Sequence, residues 1–161
     1  MKKYAALIVS ILIAYAVAFL GSLVTTPSIA NWYATLNKPS FNPPNYLFGP
    51  VWTLLFTLMA ISAYLVWRKQ KKITAELKIY GVQLGLNFLW SYLFFGLQRP
   101  GLALFEILLL WIFIALTITK FYKVDKLAAY LLIPYILWVS FAVFLNYSIV
   151  TLNQPQAIWR Y

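Results

Sequence analysis

Five apolar runs, each long enough to cross a bilayer as a helix, constrain this chain more than any other feature. They cover 4–24, 46–67, 79–97, 102–119 and 127–151. A hydrocarbon layer about 30 Å thick takes about 20 helical residues to cross, and it offers no water to satisfy backbone amides. The runs lack the alternation of a transmembrane barrel strand. The sequence therefore predicts an all-α integral membrane protein, one domain over 1–161 built as a five-helix bundle. Composition agrees: 63% of residues are hydrophobic and 10% charged, with mean hydropathy +0.79. The opening MKKYAALIVSILIAYAVA has the charged start of a signal peptide, but its apolar run continues from Tyr4 to Val24, longer than a signal core. It reads as the first span.

The chain has no cysteine and no histidine. Disulfides, thiolate nucleophiles, histidine-ligated metals and imidazole acid-base catalysis are excluded, and no metal or cofactor is expected. The net charge of +10 does not point to nucleic acid, because lysines beside hydrophobic spans ordinarily set topology. With five spans, Lys2, Lys3, Arg68, Lys69, Lys71, Lys72, Lys78, Lys120, Lys123 and Lys126 fall on one face and only Lys38, Arg99 and Arg160 on the other. By the positive-inside rule the N-terminus is cytoplasmic and the C-terminus outside.

The connection after the first span is unusual. WYATLNKPSFNPPNYLFGPVW carries Pro39, Pro43, Pro44 and Pro50 among six aromatics. Proline fixes its own φ and restricts the preceding residue, so a long connection holds one shape with no sheet or helix to tie it down. The stretch 27–45 reads as a lid, with one or two helical turns in IANWYATL bringing Trp32 and Tyr33 over whatever lies beneath. The expected topology puts Trp52 and Phe56 of the second span, Asn87, Trp90 and Phe94 of the third, and Trp138, Ala142 and Asn146 of the fifth below it. At about 100° per residue, Gln83, Asn87, Trp90 and Phe94 share one face of the third helix and Gly81, Gly85, Phe88 and Tyr92 the opposite one. A polar, aromatic face inside a bundle either bonds neighbouring helices or lines a ligand cavity. The GVQLG face is either a self-association surface or close packing within the bundle. Ala142, one turn from Trp138, leaves space for a flat apolar guest, although a packed core would show the same pattern. Pro134 is expected to bend the fifth helix and free a carbonyl. Tyr4, Trp67, Tyr122, Trp159 and Tyr161 fit an interfacial aromatic belt.

WYATLNKPSFNPPNYLFGPVW, QLGLNFLW, FFGLQRP and LLIPYILWVSFAVFLNY together resemble the tryptophan-rich sensory protein family, whose animal members are the mitochondrial translocator proteins, once called peripheral benzodiazepine receptors. The resemblance spans nearly the whole chain. It implies a five-helix bundle, often a homodimer, with a pocket under the first loop for porphyrins such as protoporphyrin IX and for isoquinoline or benzodiazepine-like drugs. Carried over by position, Trp52 and Trp138 become aromatic walls, Tyr33, Asn87, Trp90 and Ala142 further lining, and Pro43 and Pro44 part of the cover. The family's late fifth-helix sterol pattern is incomplete: Leu145 and Tyr147 are present, but no basic residue follows until Arg160.

A tetrapyrrole receptor or carrier embedded among lipids is the leading expectation. Its rival is a light-dependent porphyrin-degrading enzyme using Trp52 and Trp138, with the porphyrin as its own photosensitiser. Glu106, the one acid inside a span, gives little support to proton-coupled transport, and RKQKK permits a scaffold docked on anionic lipid.

Overall fold

In the computed structural model, residues 2–153 are described, and they are predominantly helical. The helices are α1 (Lys2–Ser28), α2 (Asn45–Gln70), α3 (Ala75–Ser91), α4 (Pro100–Val124), α5 (Lys126–Tyr130) and α6 (Ile133–Leu152). π-Helical turns extend α1 over Ile29–Tyr33 and α3 over Tyr92–Gly96. Four stretches, Tyr4–Tyr33, Asn45–Gln70, Pro100–Val124 and Lys126–Leu152, are long and apolar enough to cross a membrane. The run expected as the third crossing is not among them: α3 with its π-helical extension carries Glu76, Lys78, Gln83 and Asn87, which lower its apolar character. Trp159, Arg160 and Tyr161 lie outside the described residues.

Local chemistry explains where the helices stop. The helix from α1 runs past Pro27, which stays within it, and the irregular connector to α2 is confined to 36–44. Pro44, with φ −58° and ψ 141°, starts α2. Lys71 (φ 59°) ends α2 in the left-handed region, which closes a helix terminus compactly at some steric cost for a residue with a side chain. Pro100 opens α4 where its missing N–H costs nothing. Pro134 sits at the start of α6, after a turn at Leu131–Leu132. There the Leu132 N–H bonds Ala129 instead of Ala128, and Ser62 Oγ donates to the released Ala128 carbonyl at 2.6 Å.

α2 is the central helix. Met59, Ala60, Ser62 and Val66 are fully buried, and its neighbours α3, α4 and α6 supply Leu84, Ile107, Ile114 and Tyr135 to the same core. α1 lies at the perimeter, with Ile8, Leu12, Phe19 and Leu23 exposed as a lipid-facing helix requires. It meets α2 where Ser10 Oγ donates to the Ala60 carbonyl at 2.7 Å. Two ends of the molecule follow. Lys69 pairs with Asp125 at 3.0 Å, so the 71–74 and α4–α5 connections share a basic end. Asn37 bonds Asn153, and Asn146 Nδ2 donates to the Pro100 carbonyl, so the 36–44 connector lies at the opposite, proline-rich end.

Candidate functional site

Beneath the 36–44 connector, the start of α2, the end of α3 and the middle of α6 bring their aromatics together. Trp52 packs on Phe56 with centroids 5.6 Å apart and meets Tyr135 edge-on at 6.3 Å. Phe48 meets Trp138 edge-on at 6.1 Å, and Trp90 stacks on Phe94 at 5.2 Å. Tyr33 leans on Phe94 and Phe95 at 6.2 and 5.7 Å. Edge-on and offset contacts of this kind are what ring quadrupoles favour.

The rings line a chamber with about 40 Å³ of free space, room for a few waters. Of the residues picked from sequence, Tyr33, Trp52, Trp90, Phe94, Trp138, Ala142 and Asn146 line it. A larger groove of about 440 Å³ lies beside it, between α1 and the α2–α3 pair, and takes in Trp52, Phe56, Asn87 and Trp90. Ile29, Asn45, Phe48, Trp52, Trp90 and Phe95 border both spaces. Pro43 and Pro44 border neither; Pro43 is half-buried and Pro44 exposed in the connector. Sequence reading missed Phe48, Phe95 and Phe141 of the chamber, and it missed the whole α1 wall of the groove, Tyr15 to Ile29. Phe48, four residues before Trp52, was reachable by helical spacing. The α1 wall carries no such signal, since its residues look like any lipid-facing helix.

Polar groups in this region are mostly satisfied within the bundle. Trp90 Nε1 donates to Asn146 Oδ1 at 3.1 Å, Asn146 Nδ2 to the Pro100 carbonyl at 2.8 Å, and Asn87 Nδ2 to the Tyr135 hydroxyl at 3.0 Å. Asn87 and Asn146 therefore tie helices together while they border the two spaces. Gln83 has its amide nitrogen 3.8 Å from Met59 Sδ, and its carbonyl oxygen has no hydrogen-bond partner among the described residues. The Glu106 oxygens, buried in α4, likewise have none.

The connector is fastened at several points. Tyr33 donates its hydroxyl proton to Asn42 Oδ1 at 2.7 Å, and Lys38 Nζ lies 4.9 Å from the Tyr33 ring centre. Asn153, at the end of α6, accepts from the Asn37 N–H at 2.9 Å and donates to the Asn37 carbonyl at 2.9 Å. One side chain thus pins the connector to α6 through both of its polar atoms.

On the other side of α3, Gly81, Gly85 and Tyr92 are exposed and Phe88 is half-buried, stacked on Tyr92 at 6.3 Å. A Cβ added at Gly81 or Gly85 would meet nothing within 4 Å. These glycines permit no close approach inside the bundle. Gly21 shows the contrast, since a Cβ there would lie 3.6 Å from Ser91 Oγ where α1 and α3 pass.

Residues 10–152 match the TspO/MBR family. The chain belongs to that family. It is 47% identical over 148 residues to the tryptophan-rich protein TspO of Archaeoglobus fulgidus, covering 91% of this chain and 96% of that one. It is 40% identical over 135 residues to the human translocator protein, covering 81% and 80%, and 38% identical over 128 residues to the tryptophan-rich sensory protein of Cereibacter sphaeroides, covering 78% and 80%. As a TspO/MBR protein with several apolar helices, the chain is an integral membrane protein.

Proposed function

We propose that this TspO/MBR protein is a membrane receptor or carrier for porphyrins such as protoporphyrin IX and for flat isoquinoline or benzodiazepine-like molecules, in tetrapyrrole transport or stress signalling. One observation carries the reading: the small aromatic chamber and the roomier side groove share Trp52, Trp90 and Phe48 as a common wall. Sites for drug-sized ligands span about 300–1,000 Å³, so the groove admits such a ligand, while the chamber opens only if its rings turn aside. Trp52 and Trp138 stack on the ligand, with Tyr33, Phe56, Asn87, Trp90, Phe94, Ala142 and Asn146 around it and the connector bearing Pro43 and Pro44 as the lid. A chain without histidine or cysteine suits a metal-free porphyrin better than haem. The reading includes five crossings, a cytoplasmic N-terminus, and a homodimer through Gly81, Gly85, Phe88 and Tyr92. Relatives are called translocator and sensory proteins, in keeping with transport or sensing.

The test is a titration of the full-length protein with protoporphyrin IX in the dark, following tryptophan quenching and the porphyrin bands. Wild type gives saturable quenching with intact bands, and Trp138→Phe binds about fivefold more weakly. Absence of saturation refutes the proposal. Trp138-dependent loss of the bands in light replaces it with a porphyrin-degrading activity.

A further inference from the structure

Two ways lead to the aromatic chamber. Over it lies the connector, tied to α6 by both bonds between Asn153 and Asn37 and to Tyr33 through Asn42. Beside it lies the groove of about 440 Å³, whose rims are helix faces. Ser22 and Thr26 of α1 stand on one rim, Gly49 and Thr53 of α2 on the other, and all four are exposed. Both helices are long and apolar enough to cross a membrane, so the mouth between them faces lipid. Gly49 is at the centre of the α2 face that carries Asn45, Trp52 and Thr53 into the groove, and a Cβ there would meet nothing within 4 Å. The absent side chain leaves the mouth clear.

α1 is held unevenly along its length. Its first half is fastened to α2, where Ser10 Oγ donates to the Ala60 carbonyl at 2.7 Å and the Tyr15 and Thr57 hydroxyls are 2.8 Å apart. Beyond Tyr15, Ser22 Oγ and Asn31 Nδ2 donate to carbonyls of their own helix, those of Phe19 and Pro27. Pro27 lies inside this second half and is followed by the π-helical turn Ile29–Tyr33. A proline withholds one helical hydrogen bond, here the one to the Leu23 carbonyl, and proline and π-helical turns are where helices bend. Ile29, in that turn, borders both the groove and the chamber. The groove wall thus runs from a fastened base to a yielding end. We propose that the flat ligand reaches the chamber from the bilayer, sideways between α1 and α2, with the second half of α1 giving way at Pro27 and the π-helical turn while the connector stays fastened. The inference rests on the porphyrin reading and names the side from which that site is filled.

The experiment is rapid mixing of protoporphyrin IX with the full-length protein in phosphatidylcholine vesicles, following tryptophan quenching. Gly49→Leu places a side chain across the mouth and outside the chamber. It slows association and release alike by about tenfold and leaves the equilibrium affinity within about twofold of wild type. Pro27→Ala supplies the missing N–H, keeps the mouth clear and slows association about threefold. Asn153→Ala, which loosens the connector, associates at the wild-type rate. Wild-type association by both Gly49→Leu and Pro27→Ala overturns the inference. Faster association by Asn153→Ala also overturns it, because the connector would then be the entrance. So does a weaker affinity of Gly49→Leu with unchanged association, which would make the groove the resting place of the ligand. Failure of wild type itself to saturate is a different result, since it removes the porphyrin reading and this inference with it.

Discussion

Individual side chains hold the connector and the basic end in place, and each makes a separate prediction. Asn153 fastens the connector through both Asn37 backbone groups. Asn153→Ala is expected to speed amide exchange over residues 36–44 by about tenfold or more, since each lost bond is worth about 1 kcal/mol. It should also accelerate porphyrin release while the helices stay folded. Exchange at the wild-type rate would show that the prolines alone hold the shape. At the other end, Asp125 accepts from the Ala128 N–H at 3.2 Å and pairs with Lys69. Burial pushes its carboxyl up, but hydrogen bonds from Lys69 and the α5 amides pull it below the usual Asp range overall. A carboxyl lowered in the folded state adds stability above its unfolded pKa and loses it as pH falls through the folded one. Asp125→Asn is therefore expected to lower thermal stability by a constant amount from pH 5 to 8, about 1 kcal/mol. The gap to wild type should close below about pH 4. A gap that persists in acid would assign the loss to packing.

At the scale of elements, α3 carries the sharpest contrast between its faces. Its inner face buries Gln83, Asn87 and Phe94, while Gly81 and Gly85 lie exposed with open space around them. Gly85→Leu is accordingly expected to leave the protomer folded, because a Cβ at this exposed position meets nothing within 4 Å. It should convert the proposed dimer to a monomer in light scattering, because close backbone approach across a glycine pair tolerates no leucine. Unchanged mass would remove this face from self-association. The break between α5 and α6 shows proline acting with a partner: Pro134 limits where α6 begins, and Ser62 of α2 accommodates the turn by bonding the Ala128 carbonyl.

For the whole molecule, the two ends differ in charge, and the proposed orientation follows from that difference. The chain has no cysteine, so single cysteines report cleanly. Ser40→Cys is expected to react with a membrane-impermeant maleimide on intact cells, and Lys72→Cys only after permeabilisation; the reverse pattern would invert the topology. The helical class and the family were legible from residues alone, because long apolar runs in lipid permit little else and the Trp-Pro signature is local. The sequence also separated the two faces of α3, since a helix repeats every 3.6 residues. That the chamber under the connector leaves so little free space, that α1 walls the roomier groove beside it, and that Asn153 reaches Asn37 from 116 residues away emerge only from the packed helices. Free volume and long-range hydrogen bonds depend on how helices cross, and crossing geometry is set by the summed packing of all the helices, which no single stretch of sequence encodes.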